Sequence, residues 1–241
     1  MPTVLITGAS SGIGLEFAKQ YAALGWDVLA THRHEATPSA LAEAAAHSSR
    51  IRLEPLDVTS ESHVRAFVGK LESAPIDVLI NNAAVAYDDK MSLDTQNFGS
   101  LSFALFDRIF ATNVRGPLLV TEALHANLKA GNEKKIVCMS STNGSLTEPL
   151  PGSIGTFYRA SKAALNRAMM NVAEAVRPDG ISVVLFHPGA VLTEKNVRFG
   201  QPYPGMISTE FSVRNMIETI TGLGLADTGR FLLYDGEALP W

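Results

Sequence analysis

Tyr158 and Lys162 stand four residues apart in Tyr158-Arg159-Ala160-Ser161-Lys162, the spacing that puts two side chains on one face of a helix. An ammonium beside a phenol stabilises the phenolate and lowers its pKa from an ordinary value of about 10. A phenol tuned in this way can exchange a proton with an oxygen substrate near neutral pH. Alone, the pair is a common surface motif, and a second group gives it meaning. Ser140-Ser141-Thr142-Asn143-Gly144 directly follows the apolar run Ile136-Val137-Cys138-Met139. A serine hydroxyl at that strand end can hydrogen-bond a substrate carbonyl oxygen. Ser141 is favoured because it ends the strand, where position is most rigid. Ser145, closer to Tyr158 in sequence, is its rival.

A second constellation lies near the start. The apolar run Val4-Leu5-Ile6 leads into Thr7-Gly8-Ala9-Ser10-Ser11-Gly12-Ile13-Gly14, and Ile13, Phe17, Tyr21 and Leu24 follow at helical spacing up to Gly25. Strand, glycine turn and helix together aim backbone N–H groups and a helix N-terminus at a pyrophosphate. Gly8, Ser10, Ser11, Gly12, Ile13 and Gly14 are the expected cradle, with Gly12 admitting the phosphates and Gly14 letting the helix approach the strand. An NAD-type site needs a carboxylate at the end of the next strand. Here that strand ends Ala30-Thr31-His32-Arg33-His34. Arg33 can pair with a 2′-phosphate, Thr31 can add a hydroxyl and His32 a stacking or polar contact. NADP(H) is therefore expected. NAD(H) is the alternative, because Glu35 can reach the ribose if its loop folds back.

These groups need a scaffold. Strand-like runs at 4–6, 27–31, 51–56, 76–80, 136–139, 181–186 and 231–234 alternate with helical patterns. One long helical stretch spans 101–129, with Gly116-Pro117 as an expected bend; others cover 157–176 and 211–220. Short apolar runs separated by helices predict an α/β fold: a doubly wound, mostly parallel, seven-stranded sheet with helices on both faces. No linker, repeat or charge block divides the chain, so 1–241 reads as a single dinucleotide-binding domain. The motifs fall at strand ends or helix starts, on the edge where such sheets bind ligands.

With these motifs in hand, the chain resembles the short-chain dehydrogenase/reductase family. Thr7-Gly8-x-x-x-Gly12-x-Gly14, Asn81-Asn82-Ala83, Asn113, Ser141-x-x-Gly144, Tyr158-x-x-x-Lys162 and Pro188-Gly189 occur in the family's order. Ala30-Thr31-His32-Arg33, the stretch His187 to Thr193 and the ending Gly229-Arg230-Phe231 to Gly236 resemble its carbonyl reductase, sniffer and C-factor branch. The resemblance implies a Rossmann fold and a role for each matching position. Tyr158 would be the general acid in carbonyl reduction and the base in alcohol oxidation. Lys162 would lower its pKa and hold the nicotinamide ribose, and Ser141 would orient the carbonyl. Asn113 would hold a helix irregularity and a water linking Lys162 to solvent. Asp57 and Val58 would contact adenine, Asn82 and Ala83 would flank the adenosine ribose, and Pro188, Gly189, Val191 and Thr193 would close over the nicotinamide and pyrophosphate. Three departures stand out: Ala84 replaces the family's usual Gly, Ser11 stands where NADP-dependent members often carry a basic residue, and Ser141 precedes Tyr158 by more than the common spacing.

Composition narrows the field further. A net charge of −4 with dispersed Lys and Arg gives no reason to expect nucleic acid. Cys138 is the single cysteine, which excludes an intramolecular disulfide and reads as a core thiol. Without a basic n-region or a long apolar stretch, a cytoplasmic location away from membranes is expected. The six histidines show no shared metal-ligand spacing, so no metal is expected. Small residues Ala160, Ala163, Ala164 and Ala168 suit helix packing against a symmetry mate, hence a homodimer or homotetramer. Gly200, Pro202, Pro204 and Gly205, with Phe199 and Tyr203, make 193–207 read as a substrate lid. Val85, Tyr87, Leu146, Leu150, Phe157 and Tyr203 are candidates for an apolar pocket. Together these features predict an NADP(H)-dependent oxidoreductase acting on a small neutral carbonyl or secondary alcohol. The alternative is a weakly catalytic nucleotide-sensing or signalling protein.

Overall fold

Strands made mostly of Val, Leu and Ile, apolar on both faces, need cover on both sides. The computed structural model describes residues 1–33, 36–87, 93–148, 155–194 and 204–241. Its strands are β1 (Thr3–Ile6), β2 (Asp27–His32), β3 (Ile51–Pro55), β4 (Val78–Asn81), β5 (Lys135–Met139), β6 (Ser182–His187), β7 (Val191–Leu192), β8 (Ile207–Ser208) and β9 (Phe231–Leu233). Seven of them form one sheet in the order β3-β2-β1-β4-β5-β6-β9, with every pairing parallel. The chain winds outward from β1 to β3, then returns to β4 on the other side of β1. That reversal opens a crevice above the carboxyl ends of β1 and β4.

The helices are α1 (Gly12–Ala23), α2 (Ser39–Ala46), α3 (Glu61–Leu71), α4 (Phe103–Phe110), α5 (Gly116–Ala123), α6 (His125–Ala130), α7 (Thr156–Val176) and α8 (Thr209–Gly222). On one face of the sheet, Phe17 and Tyr21 of α1, Leu41 of α2 and Met216 and Ile220 of α8 fill a core. On the other, Phe67 of α3, Val120 of α5, Leu128 of α6 and Leu165 and Met169 of α7 do the same. Leu105 and Ile109 of α4 form a smaller third cluster with Val85 and Phe157.

Two local expectations are corrected. Leu24 is 62% exposed rather than part of the apolar stripe of α1. Trp26 takes the inward place, its ring edge-on to Tyr21 at 5.0 Å, after a turn closed by the Gly25 and Trp26 N–H groups on the Ala22 and Tyr21 carbonyls. The long helical stretch is interrupted just before Gly116 rather than at Gly116-Pro117. Residues Ala111–Arg115 form a turn of π-helix between α4 and α5. Pro117 has no N–H to give the carbonyl four residues back, so regular α-helical bonding cannot run through that point and the turn widens.

Candidate active site

The glycine turn is braced from β4. Thr7 Oγ1 accepts from the Asn82 and Ala83 N–H groups at 2.9 and 3.1 Å. The Asn82 amide donates to the Thr7 and Gly8 carbonyls at 2.9 and 3.0 Å. Asn82 thus spends its amide on holding the turn, while Ala83 lies directly against Gly8. A side chain on Gly14 would run into the Gly8 carbonyl and the Asn82 amide, so the expected close approach of helix and strand is real. Gly12 has a φ of +55°, and a Cβ there would fill the space up to the Thr193 methyl, 3.4 Å away. The Ser11 hydroxyl makes no cap bond at the start of α1, and no acid occupies its first turn. An uncapped helix N-terminus beside an open cradle fits an anionic dinucleotide phosphate.

At the end of β2 the three expected contacts separate. Thr31 and His32 are buried, and Thr31 Oγ1 has no hydrogen-bond partner among the described residues. Arg33 is exposed and alone of the three offers a charge to a ligand. Glu35 and His34 lie outside the described residues. Asp57 stands near Arg33. Burial pushes its carboxyl up, but hydrogen bonds from the Thr59 hydroxyl and N–H, with Arg33 and His63 nearby, outweigh that and hold it below the usual carboxylate range. Val58 is buried in the core and would meet any side chain on Gly116.

The candidate acid–base residues come together where β5 meets α7. The Lys162 ammonium lies 5.6 Å from the centre of the Tyr158 ring and donates to the Met139 carbonyl at 2.7 Å. Ser141 hydrogen-bonds Tyr158 through its side chain, and its Oγ also accepts from the Asn143 N–H at 3.2 Å. Ser145 is engaged differently: its Oγ accepts from the Thr147 and Glu148 N–H groups at 3.3 and 3.1 Å, closing a local turn. The geometry therefore joins Ser141, not Ser145, to the tyrosine.

The expected downward pull of Lys162 on Tyr158 is overridden. Burial raises the phenol to about 12; the Ser141 hydrogen bond works against this, and nearby Tyr87 adds to it. Burial likewise draws Lys162 down to about 8, because its ammonium sits in the interior. Cys138 is buried, its thiol pushed up to about 12 by burial, as a core thiol should be.

Asn113 sits in the π turn, 1% exposed. Its Oδ1 accepts from the Val85 N–H and its Nδ2 donates to the Val85 carbonyl, both at 2.8 Å. Nδ2 also donates to Ser161 Oγ at 3.0 Å. From the π turn Asn113 thus ties the loop after β4 to Ser161 of α7. Gln96, which no sequence motif singled out, joins that loop to Tyr158: it donates to the Ala86 carbonyl at 2.7 Å and accepts from the Tyr158 N–H at 3.0 Å.

After β6, the Pro188 carbonyl accepts from Ser212 Oγ at 2.6 Å, and Gly189, at φ +83°, turns the chain beneath the Tyr234 ring. Val191 is buried. Short parallel strands β7 and β8 pair Val191 with Ile207 and Leu192 with Ser208, joining the two ends of the expected lid. Most of that lid, including Lys195, Arg198 and Tyr203, lies outside the described residues, as does Leu150. Among the described residues no group of three His, Cys, Asp or Glu side chains could hold a metal ion, and no helix is long and apolar enough to cross a membrane.

Comparison with known proteins agrees with this arrangement. Residues 2–213 match the family model described as short chain dehydrogenase. The chain is 37% identical over 178 residues to the C-signal protein of Myxococcus xanthus, covering 74% of this chain and 100% of that one. It is 32% identical over 247 residues to 1-hydroxy-2-glutathionyl-2-methyl-3-butene dehydrogenase of Rhodococcus sp. (strain AD45), covering 100% of both. Its fold is similar to that of an NADPH-bound carbonyl reductase from chicken fatty liver, with a TM-score of 0.89 and 27% identity across 100% of this chain and 99% of the other.

Proposed function

The chain belongs to the short-chain dehydrogenase family, and on that premise we propose that it is an NADP(H)-dependent oxidoreductase for a small neutral carbonyl or the matching secondary alcohol. One observation carries the reading: Ser141 hydrogen-bonds Tyr158 while the Lys162 ammonium lies beside the same ring. A protein that only bound nucleotide would not need a phenol so coupled. The bound nicotinamide supplies or accepts the hydride. Everything else falls to side chains. Tyr158, protonated at neutral pH, gives its proton to the substrate oxygen. Ser141 hydrogen-bonds that oxygen and fixes its position. Lys162, still charged below about pH 8, steadies the phenolate that remains. In oxidation the proton runs the other way.

NADP(H) is supported by exposed Arg33 at the end of β2 and by the NADPH-bound neighbour. A neutral substrate accords with the pocket candidates Val85 and Phe157, which lie together in an apolar cluster. We further propose a homo-oligomer joined along Ala160, Ala164 and Ala168 of α7. The test is NADPH against NADH binding, followed by an absorbance screen of aldehydes, ketones and alcohols. Tight NADPH binding with turnover is expected. Binding without turnover of any carbonyl would favour the sensing role instead.

A further inference from the structure

Gln96 ends a 3-10 turn, Leu93–Gln96, and is 1% exposed. Its amide is used at both ends, Nε2 toward the Ala86 carbonyl and Oε1 toward the Tyr158 N–H. That N–H lies in the first turn of α7, where a helix supplies no partner of its own. The N-cap residue is Gly155, which makes no side-chain cap bond. A distant side chain therefore does the capping, at the residue that carries the phenol. On the other side, the Tyr158 carbonyl accepts from Ser161 Oγ at 2.7 Å. Ser161 Oγ accepts from Asn113, and Asn113 grips Val85. Because Val85 and Ala86 are adjacent, the bonds close into a ring through Gln96, Tyr158, Ser161 and Asn113.

We propose that Gln96 is a positioning residue for the acid–base tyrosine: it ties the first turn of α7 to the loop after β4, and so sets where the Tyr158 hydroxyl stands against Ser141. The inference rests on the oxidoreductase reading above. Only a neutral group with one donor and one acceptor closes the ring. A carboxylate would face the Ala86 carbonyl, lone pair to lone pair, and an aliphatic side chain would leave both partners unsatisfied.

The test compares Gln96→Glu and Gln96→Leu with wild type, using NADPH and a panel of neutral aldehydes and ketones that includes 4-nitrobenzaldehyde. At about pH 8, kcat should fall about tenfold or more in both variants, since small misplacements of a reacting group are costly. The NADPH Kd should stay within about twofold of wild type, because Gln96 touches none of the cradle. A buried carboxyl has a raised pKa and, once protonated, offers one donor and one acceptor. The Gln96→Glu to wild-type ratio of kcat should therefore climb as pH falls toward about 5.5, while the Gln96→Leu ratio stays flat. A merely structural loss would lower Tm and NADPH affinity together with kcat, whereas a positioning loss moves kcat alone. A flat Gln96→Glu ratio, or a wild-type kcat in both variants, overturns the proposal. If Gln96→Leu does not fold, the pH dependence of Gln96→Glu decides alone. Wild-type failure on the whole panel overturns the oxidoreductase reading and this inference with it, whereas wild-type turnover with indifferent Gln96 variants overturns this inference only.

Discussion

Tyr158 keeps its proton well above neutral pH because burial raises its phenol to about 12. That favours its use as an acid, which is the role carbonyl reduction asks of it. Tyr158→Phe should bind NADPH normally yet reduce carbonyls at least ~100-fold more slowly; stopped-flow or steady-state rates at saturating cofactor check this, and unchanged turnover would sink the mechanism. Lys162 sets the alkaline side. Its ammonium titrates at about 8, so reduction should decline as pH rises through that value and the charge beside the phenol is lost. A pH–rate profile that stays level to pH 10 (about two units past the lysine) would contradict it. Arg33→Ala should raise the NADPH Kd about tenfold or more and the NADH Kd much less, as expected for the loss of one charge-assisted partner. Equal effects on both cofactors would remove Arg33 from the phosphate site. At this scale the sequence named Tyr158, Lys162 and Ser141 by side chain and position, and the family resemblance added Asn113. Gln96 was hidden, because its meaning depends on two main-chain groups that only folding brings beside it.

Elements decide whether those residues meet. The turn between β1 and α1 is held by hydrogen bonds from Asn82, so a perturbation on either side reaches both. Gly14→Ala would put a methyl against the Gly8 carbonyl and the Asn82 amide. It should cost about 1–3 kcal/mol of stability, as overpacking does, and weaken NADPH binding as the cradle shifts. Denaturant unfolding and cofactor fluorescence read the two effects separately, and a variant as stable and as tight-binding as wild type would refute the close approach. The seven strands of the main sheet and helices α1, α7 and α8 were legible within a residue or two, because short Val-, Leu- and Ile-rich runs with helices between them have few other solutions; β7, β8 and the division of 101–129 into separate helices were not. The π turn at Ala111–Arg115 was legible only in part, since the resemblance put a helix irregularity at Asn113 without giving its form. Pro117 signalled an interruption, but a kink and a widened turn satisfy a missing N–H equally well, and the choice was made by Asn113 reaching Val85.

Across the whole molecule the two edges of the sheet do different work. The glycine turn and the candidate acid–base residues gather at the carboxyl ends of the strands; the opposite edge is stapled by buried charge. Asp77 accepts from the Thr3 and Asn132 N–H groups, each at 2.7 Å, and from that of Glu133 at 3.3 Å. Lys135 donates to the Ile220 and Thr221 carbonyls at the end of α8, at 3.0 and 3.1 Å, and pairs with Glu133 at 2.8 Å. The sequence put Asp77 in the strand-like run 76–80 and Lys135 just before 136–139 without showing a role for either, because their partners come from distant turns. Asp77→Ala should leave buried N–H groups unpaired, cost about 1–3 kcal/mol or more and lower Tm, while NADPH affinity stays unchanged; a loss of cofactor binding without a drop in Tm would contradict this division of labour. The pairing of β7 with β8 has a different consequence. By fastening Val191 and Leu192 to Ile207 and Ser208, it makes the chain between them a closed excursion whose length hardly affects the rest, because loop-closure entropy grows only slowly with loop size. Segments of other lengths and compositions can be grafted onto that two-stranded base. On the expectation that 193–207 is a substrate lid, substrate preference can then diverge, by evolution or by design, without renegotiating the seven-stranded sheet.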